Sequence, residues 1–181
     1  MKKLQFTLSL LLLLSLQSFA QKVAKATDGV VSFYSKTPLE DIEATSKKLG
    51  AAINLETRAI AFTISIRSFV FPQALMQEHF NENYMESDKF PTASFKGKIN
   101  DNVDLTKDGT YKVTASGTLN IHGVEKPRDI EGSVTVKGGN VSLSSNFRVK
   151  LEDHKIERPS VVFQNIAETI DVKINATLKP L

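Results

Sequence analysis

Three histidines carry most of the side-chain chemistry open to this chain: His79, His122 and His154. Three imidazoles can hold a catalytic zinc with water in the fourth position, so their spacing matters. No H-x-H, H-E-x-x-H or E-x-x-H pair occurs. His79 lies in "QEHFNENY" with Glu78 and Glu82 close by, but neighbouring helix positions diverge around the axis. Nucleophilic catalysis lacks a frame as well. The sequence has no cysteine and no G-x-S-x-G elbow, and serines such as Ser142 and Ser144 sit in alternating runs where exposed hydroxyls are ordinary. Asp153-His154 could pair with Ser160, yet adjacency in sequence is not a triad. No glycine loop suited to phosphate is found, and no cofactor is expected.

His122 is the informative histidine. In "GTLNIHGVEKP" it follows the inward residue Ile121 and precedes Gly123, so it marks a strand end on the outward parity. Two roles are open to it. It can hydrogen-bond loop backbone and hold the turn that Gly123 permits, or it can stand at the rim of a ligand site.

The elements that must position these residues are strands. Period two, the mark of a strand with one buried face, is clearest over 111–121, 141–151, 170–178 and 60–66. Shorter alternating runs cover 29–35, 51–57, 93–99 and 130–136, about eight strands in all. The segment 41–49 reads as strand more than helix. Breaks fall at Glu56-Thr57-Arg58, Asp108-Gly109, the Gly123 to Pro127 stretch, and Gly138-Gly139-Asn140, the last a hairpin signal. Between strands 59–69 and 92–99, "PQALMQEHFNENYMESDKFP" leaves period two. Met76, Phe80 and Tyr84 recur at four-residue spacing, one helical face, so a short helix bounded by Pro72 and Pro91 is predicted.

Many antiparallel strands with one apolar face form a sandwich or a barrel. Runs of about ten residues exceed the usual five or six and suit an eight-stranded barrel, whose interior is filled by side chains or holds one small ligand. Phe33, Phe62, Phe95 and Phe147 fall on inward faces. So do Ala93, Gly97, Ala115, Gly117, Gly132, Ser145 and Ala176. Those small residues are either packing taper or the walls of a lumen, and the pattern leaves both open.

The first twenty residues read as a leader rather than as fold. Lys2 and Lys3, an apolar run from Leu8 to Leu16, and Ser18-Phe19-Ala20 make a secretory signal with cleavage expected after Ala20. The h-region is too short to span a bilayer, which needs roughly 20 apolar residues. The expected mature domain is 21–181. Of 23 basic residues it retains 21, against 20 acidic ones, so nothing suggests nucleic acid, which requires a clustered basic face. Export without cysteine means that the core alone must stabilise the fold.

Three segments then resemble the bacterial YceI-like family of lipid- or polyisoprenoid-binding proteins. "GTLNIHGVEKP" is similar to that family's G-x-L-x-I-H-G-V-x-K-P stretch. "HFNENYMESDKFPTASFKG" is similar to its His…Tyr…(Tyr/Phe)-Pro-x-Ala-x-Phe segment, and "NFRVKLEDHKIERP" occupies the place of its late strand and loop. Two departures stand out. Lys150-Leu151-Glu152-Asp153-His154 replaces the family's common Arg-x-Asp-(Phe/Tyr)-Gly, and the strand before Gly138 reads short. The resemblance implies an all-β fold: an eight-stranded antiparallel, lipocalin-like β-barrel with one short helical insertion. It also implies periplasmic or secreted location, no catalysis, and a long isoprenoid or other lipid chain as the partner.

On that reading Phe33, Phe62, Ile64, Phe95, Leu119, Phe147 and Ile174 line the lumen. Met76, Phe80 and Tyr84 form a lid, and His79 and His122 stand at the rim. Replacing Gly117 or Ala115 by Phe is expected to block the lumen and spare the fold. Two other readings fit the same residues: a ligand-free structural or interaction barrel with a self-filled core, and a histidine-dependent metalloenzyme.

Overall fold

The computed structural model describes residues 23–158 and 166–181. The expected leader, its cleavage site and Ser160 lie outside the described residues. Eight strands are present: β1 (Val23–Lys36), β2 (Asp41–Asn54), β3 (Ala59–Ser65), β4 (Thr92–Ile99), β5 (Gly109–Ile121), β6 (Val124–Lys137), β7 (Asn140–Lys150) and β8 (Thr169–Pro180). Each pairs antiparallel with its neighbours in sequence order, and β8 returns to β1, so the sheet closes into a barrel. Closure gives every strand a partner on both sides over at least part of its length, and the alternation of the sequence sets which face turns inward. β1 carries register shifts around Gly29. A methyl group there would meet the Ala176 side chain and the Leu49 backbone at 3.1 Å, so any side chain at this irregularity would push its neighbours back by a few tenths of an ångström.

Several boundaries differ from the sequence expectation, each for a local reason. The runs 41–49 and 51–57 are one strand, β2, which ends at Asn54. The Asn54 carboxamide oxygen accepts from the N–H groups of Glu56 (3.0 Å) and Thr57 (2.8 Å), which turns the chain. The break expected over Gly123 to Pro127 is only two residues wide. His122 and Gly123 have φ of 53° and 70°, a tight hairpin turn with both central residues left-handed. β6 therefore starts at Val124, takes in Pro127, and runs for 14 residues; the strand before Gly138 is long, not short. The run 59–69 ends as strand at Ser65 and becomes a 3-10 turn, Ile66–Ser68.

The helical insertion is α1 (Ala74–His79), continued by a π-helical turn over Phe80–Tyr84 that the N–H of Met85 closes onto the Phe80 carbonyl at 2.9 Å. Widened turns of this kind re-aim side chains without ending the helix. The far end of the barrel is solid. Ala24, Leu105, Val141 and Leu178 have no exposed surface. Leu105 reaches the core from the β4–β5 loop, which is tied down by Arg58 Nη1 donating to Asp101 O (2.7 Å) and Thr114 N donating to the Asp101 carboxylate (2.6 Å).

The two left-handed hairpins make a direct comparison. A methyl group at Gly123 would lie 2.5 Å from Phe90 Cε1, whereas one at Gly138 would meet nothing within 4 Å. Gly138→Ala carries only its backbone strain, about 1–2 kcal/mol. Gly123→Ala adds displacement of Phe90 and should cost roughly 2–4 kcal/mol. Urea denaturation of both variants checks this; equal losses would show that Phe90 gives way freely.

Candidate functional site: an apolar cavity inside the barrel

Above the solid end the interior is hollow. A cavity of about 450 Å³ runs up to the helical insertion, within the range of about 300–1,000 Å³ usual for ligand pockets. Its walls are built by the alternation itself, because inward residues of every strand reach it. Phe33, Phe62, Ile64, Phe95, Leu119, Phe147 and Ile174 all border it. So do Met76, Phe80 and Tyr84 from the insertion. At the open end the border includes Gln73, Leu75 and His79, with Leu75 59% exposed.

The small inward residues divide into two groups. Ala93, Ala115, Gly132 and Ser145 border the cavity, whereas Gly97, Gly117 and Ala176 do not. Gly97 and Gly117 face each other across β4 and β5, and the Phe95 ring lies over both. A methyl group on Gly117 would sit 2.3 Å from Lys96 O, 2.6 Å from Gly97 Cα and 2.8 Å from Phe95 Cζ. The expectation that Gly117→Phe would block the lumen and spare the fold is therefore corrected: that space is already held by Phe95 and backbone. Ala115 is the position of the two that borders open space.

Among the lining residues that the sequence did not mark are two aromatics. Phe69 and Phe71 are 5% and 8% exposed and join Phe33 and Phe80 in an aromatic cluster beneath the lid. Phe33 stacks on Phe80 at 5.4 Å, and Phe71 lies 5.0 Å from Phe80; offset and tilted pairs at such distances are favourable. The missed signal was a change of phase. Inward residues of β3 are even-numbered, but the 3-10 turn shifts the parity so that "FVF" places Phe69 and Phe71 inward.

The histidines do not converge. His79 is exposed at the mouth. His122 is 9% exposed and does not border the cavity, so its rim placement is corrected. Its Nδ1 lies 3.2 Å from His154 O and its Nε2 2.9 Å from Glu86 Oε2, both at hydrogen-bond distance, with Phe90 edge-on at 4.5 Å. His154, 1% exposed, donates from Nδ1 to Val124 O (3.2 Å). The pair clasps the β5–β6 turn to the segment after β7. Among the described residues no group of three or more His, Cys, Asp or Glu is placed to hold a metal ion. Burial pushes the His154 imidazole below its ordinary pKa, partly offset by the carbonyls of Val124 and Ile121. The Glu86 carboxyl is held below its usual range, first by Lys89 and then by His122.

These features define a closed antiparallel barrel with an apolar internal cavity that the helical insertion borders. The chain belongs to the YceI-like family: the model of the YceI-like domain matches residues 21–178. A comparison with curated proteins finds no match. Among solved structures, a polyisoprenoid binding domain from Saccharophagus degradans implicated in plant cell wall breakdown is similar at 16% identity. Its TM-score is 0.74, covering 89% of this chain and 99% of that one. BcnA of Burkholderia cenocepacia follows at 17% identity and TM-score 0.70, covering 83% and 95%. The YCEI protein of Campylobacter jejuni has 19% identity and TM-score 0.60, covering 74% and 82%. At these identities the likeness shows the fold.

The buried His154 makes stability fall with acid. Its folded pKa lies below the unfolded value of about 6.5, so the unfolded chain takes up the proton first. The contribution is whole above pH 6.5 and is lost as pH falls through the folded value, by at most about 1.4 kcal/mol per pH unit. The urea midpoint should drop between pH 7.5 and 5.5. In His154→Gln the profile should flatten over that window, since Glu86 contributes its own loss only lower, in the carboxylate range. A slope unchanged by the substitution would remove His154 as its source.

Proposed function

We propose that the protein is a non-catalytic carrier that holds one lipophilic, polyisoprenoid-like chain in the barrel cavity and works in the periplasm or outside the cell. The observation that carries this reading is the cavity of about 450 Å³ bounded by aliphatic and aromatic side chains of the barrel wall and lid. Membership of the YceI-like family supports it, as does the description of the Saccharophagus degradans relative as a polyisoprenoid binding domain. The leader-like first twenty residues support export.

Physics makes such a cavity sufficient for affinity. Each buried methylene contributes about 0.8 kcal/mol, so a chain of about 20 carbons gains on the order of 16 kcal/mol before ordering costs are subtracted. Discrimination between apolar chains is weak on that basis, and head-group selection falls to polar residues at the mouth, of which Gln73 and His79 are placed for it. No step requires a nucleophile, a general base or a metal.

Organic extraction of untagged protein from its native envelope fraction, followed by mass spectrometry, tests the reading. Carriage predicts a lipid in near-stoichiometric amount, because a chain held by apolar burial survives purification. A clean extract favours the self-filled barrel, to which the solid end and the Phe95–glycine contact already belong. Ala115→Phe should cut uptake of all-trans-retinol, a fluorescent isoprenoid alcohol, by about tenfold or more while circular dichroism stays unchanged; overpacking of this kind destabilises by roughly 1–3 kcal/mol. Undiminished uptake in a folded Ala115→Phe protein would place the chain elsewhere.

A further inference from the structure

The strand ladders of this barrel are unequal. β5 pairs with β6 along the whole of Gly109–Ile121, and β7 with β8 along all of Val141–Lys150. Between β6 and β7 the ladder covers only Ser133–Lys137 against Asn140–Ser144. Beyond Ser133 and Ser144 the two strands run on without backbone pairing, although β6 extends back to Val124 and β7 on to Lys150. Side chains bridge this seam instead. Ser145 Oγ donates to Glu131 O (2.6 Å), Arg128 Nη2 donates to Arg148 O (2.8 Å), and the His154 ring donates to Val124 O (3.2 Å) at the top. Pro127, which has no N–H for a ladder, lies within the unpaired stretch, where edge strands tolerate it.

Both banks of the seam border the cavity: Ile130, Glu131 and Gly132 on one side, Ser145 and Phe147 on the other. The short β2–β3 ladder, Gly50–Ile53 against Ile60–Thr63, differs. There Thr45 and Val70 exchange backbone hydrogen bonds in both directions (3.2 and 2.9 Å), and the buried Phe69 and Phe71 fill the space behind. Among the described residues no backbone pairing performs that role at the β6–β7 seam.

We propose that the β6–β7 seam is the lateral portal through which the lipophilic chain enters and leaves the cavity, with the Arg128 and Ser145 bridges as its latch; this rests on the carrier reading above. A side-chain bridge opens by rotation about side-chain torsions and leaves both strands paired to their outer neighbours. A backbone ladder would have to unzip. A lateral slit also admits a long chain side-on along its length, whereas a chain entering at the open end must thread end-on past the Phe33, Phe69, Phe71 and Phe80 rings that border the cavity there.

The chain has no cysteine, so a thiol pair can be placed without background. Asp129 and Arg148 lie four residues beyond the last ladder pair, Ser133 and Ser144, on the outward parity of each strand and outside the cavity lining. In Asp129→Cys/Arg148→Cys the bridge from Arg128 to the backbone of residue 148 is retained, and the Ser116–Asp129 contact is lost equally with thiols free or cross-linked. All-trans-retinol is loaded, and its release into phosphatidylcholine vesicles is followed with the thiols free or joined by a short bis-maleimide.

The portal predicts equal occupancy at equilibrium and release slowed on the order of tenfold by the cross-link. Equal release rates would overturn it and leave the carrier reading intact. If retinol binds neither form, that prediction of the carrier reading fails, and the seam is read without ligand. The rate at which a thiosulfonate reagent modifies Ile130→Cys, alone and combined with Arg128→Ala, then decides. Modification several-fold faster with Arg128 removed supports a latched opening, and equal rates overturn it.

Discussion

A closed sheet of eight strands has an interior that something must occupy, and here that constraint is met differently along the axis. At one end the chain fills itself: Leu105 enters from a loop to pack with Ala24, Val141 and Leu178, all without exposed surface. In the middle Phe95 lies against the bare backbones of Gly97 and Gly117, which turns a large side chain into part of the wall. Toward the other end Ala93, Ala115 and Ser145 border the hollow, as does Gly132, although Ser144 O stands 2.7 Å from where a methyl on Gly132 would lie. Hydrophobic burial drives closure, and the distribution of small residues decides where closure leaves a hollow.

The polar residues that looked most suited to chemistry are used for closure too. His122 and His154 spend their nitrogens on Val124 O, His154 O and the Glu86 carboxylate. They tie the β5–β6 turn to the segment that follows β7. A buried polar group must be hydrogen-bonded or it destabilises, so a clasp of this kind specifies one arrangement of three segments. It also lies at the top of the seam where β6 and β7 stop pairing, which links the turn geometry of His122-Gly123 to the behaviour of the barrel wall.

The lid follows the same economy of means. Met76, Phe80 and Tyr84 keep one face across a helix and a π-helical turn, and that face meets the aromatic cluster of Phe33, Phe69 and Phe71. Burial of these rings fixes the insertion over the cavity without a strand ladder. The exposed border of Gln73, Leu75 and His79 is the consequence: the end of the barrel that carries the lid is also the end where cavity and solvent meet.

By itself the amino-acid sequence determined an all-β fold, since strict alternation has one apolar face that antiparallel strands must hide in a sandwich or a barrel, and runs of about ten residues favoured the barrel. It also marked the helical insertion through the spacing of Met76, Phe80 and Tyr84, and the inward residues from Phe33 to Ile174, because side-chain direction in a strand is a matter of parity. Parity fails where the chain slips phase, which is why Phe69 and Phe71 went unread behind the 3-10 turn. Whether small residues leave space could not be read locally. Gly117 and Ala115 share one face of one strand, yet one is covered by Phe95 and the other borders the cavity, because that difference is made by a residue of a neighbouring strand. The tertiary structure alone decided where the cavity lies, that His122 bonds to partners 32 and 36 positions away, and that β6 and β7 pair only from Ser133 to Lys137 of β6, since each depends on segments brought together only when the sheet closes.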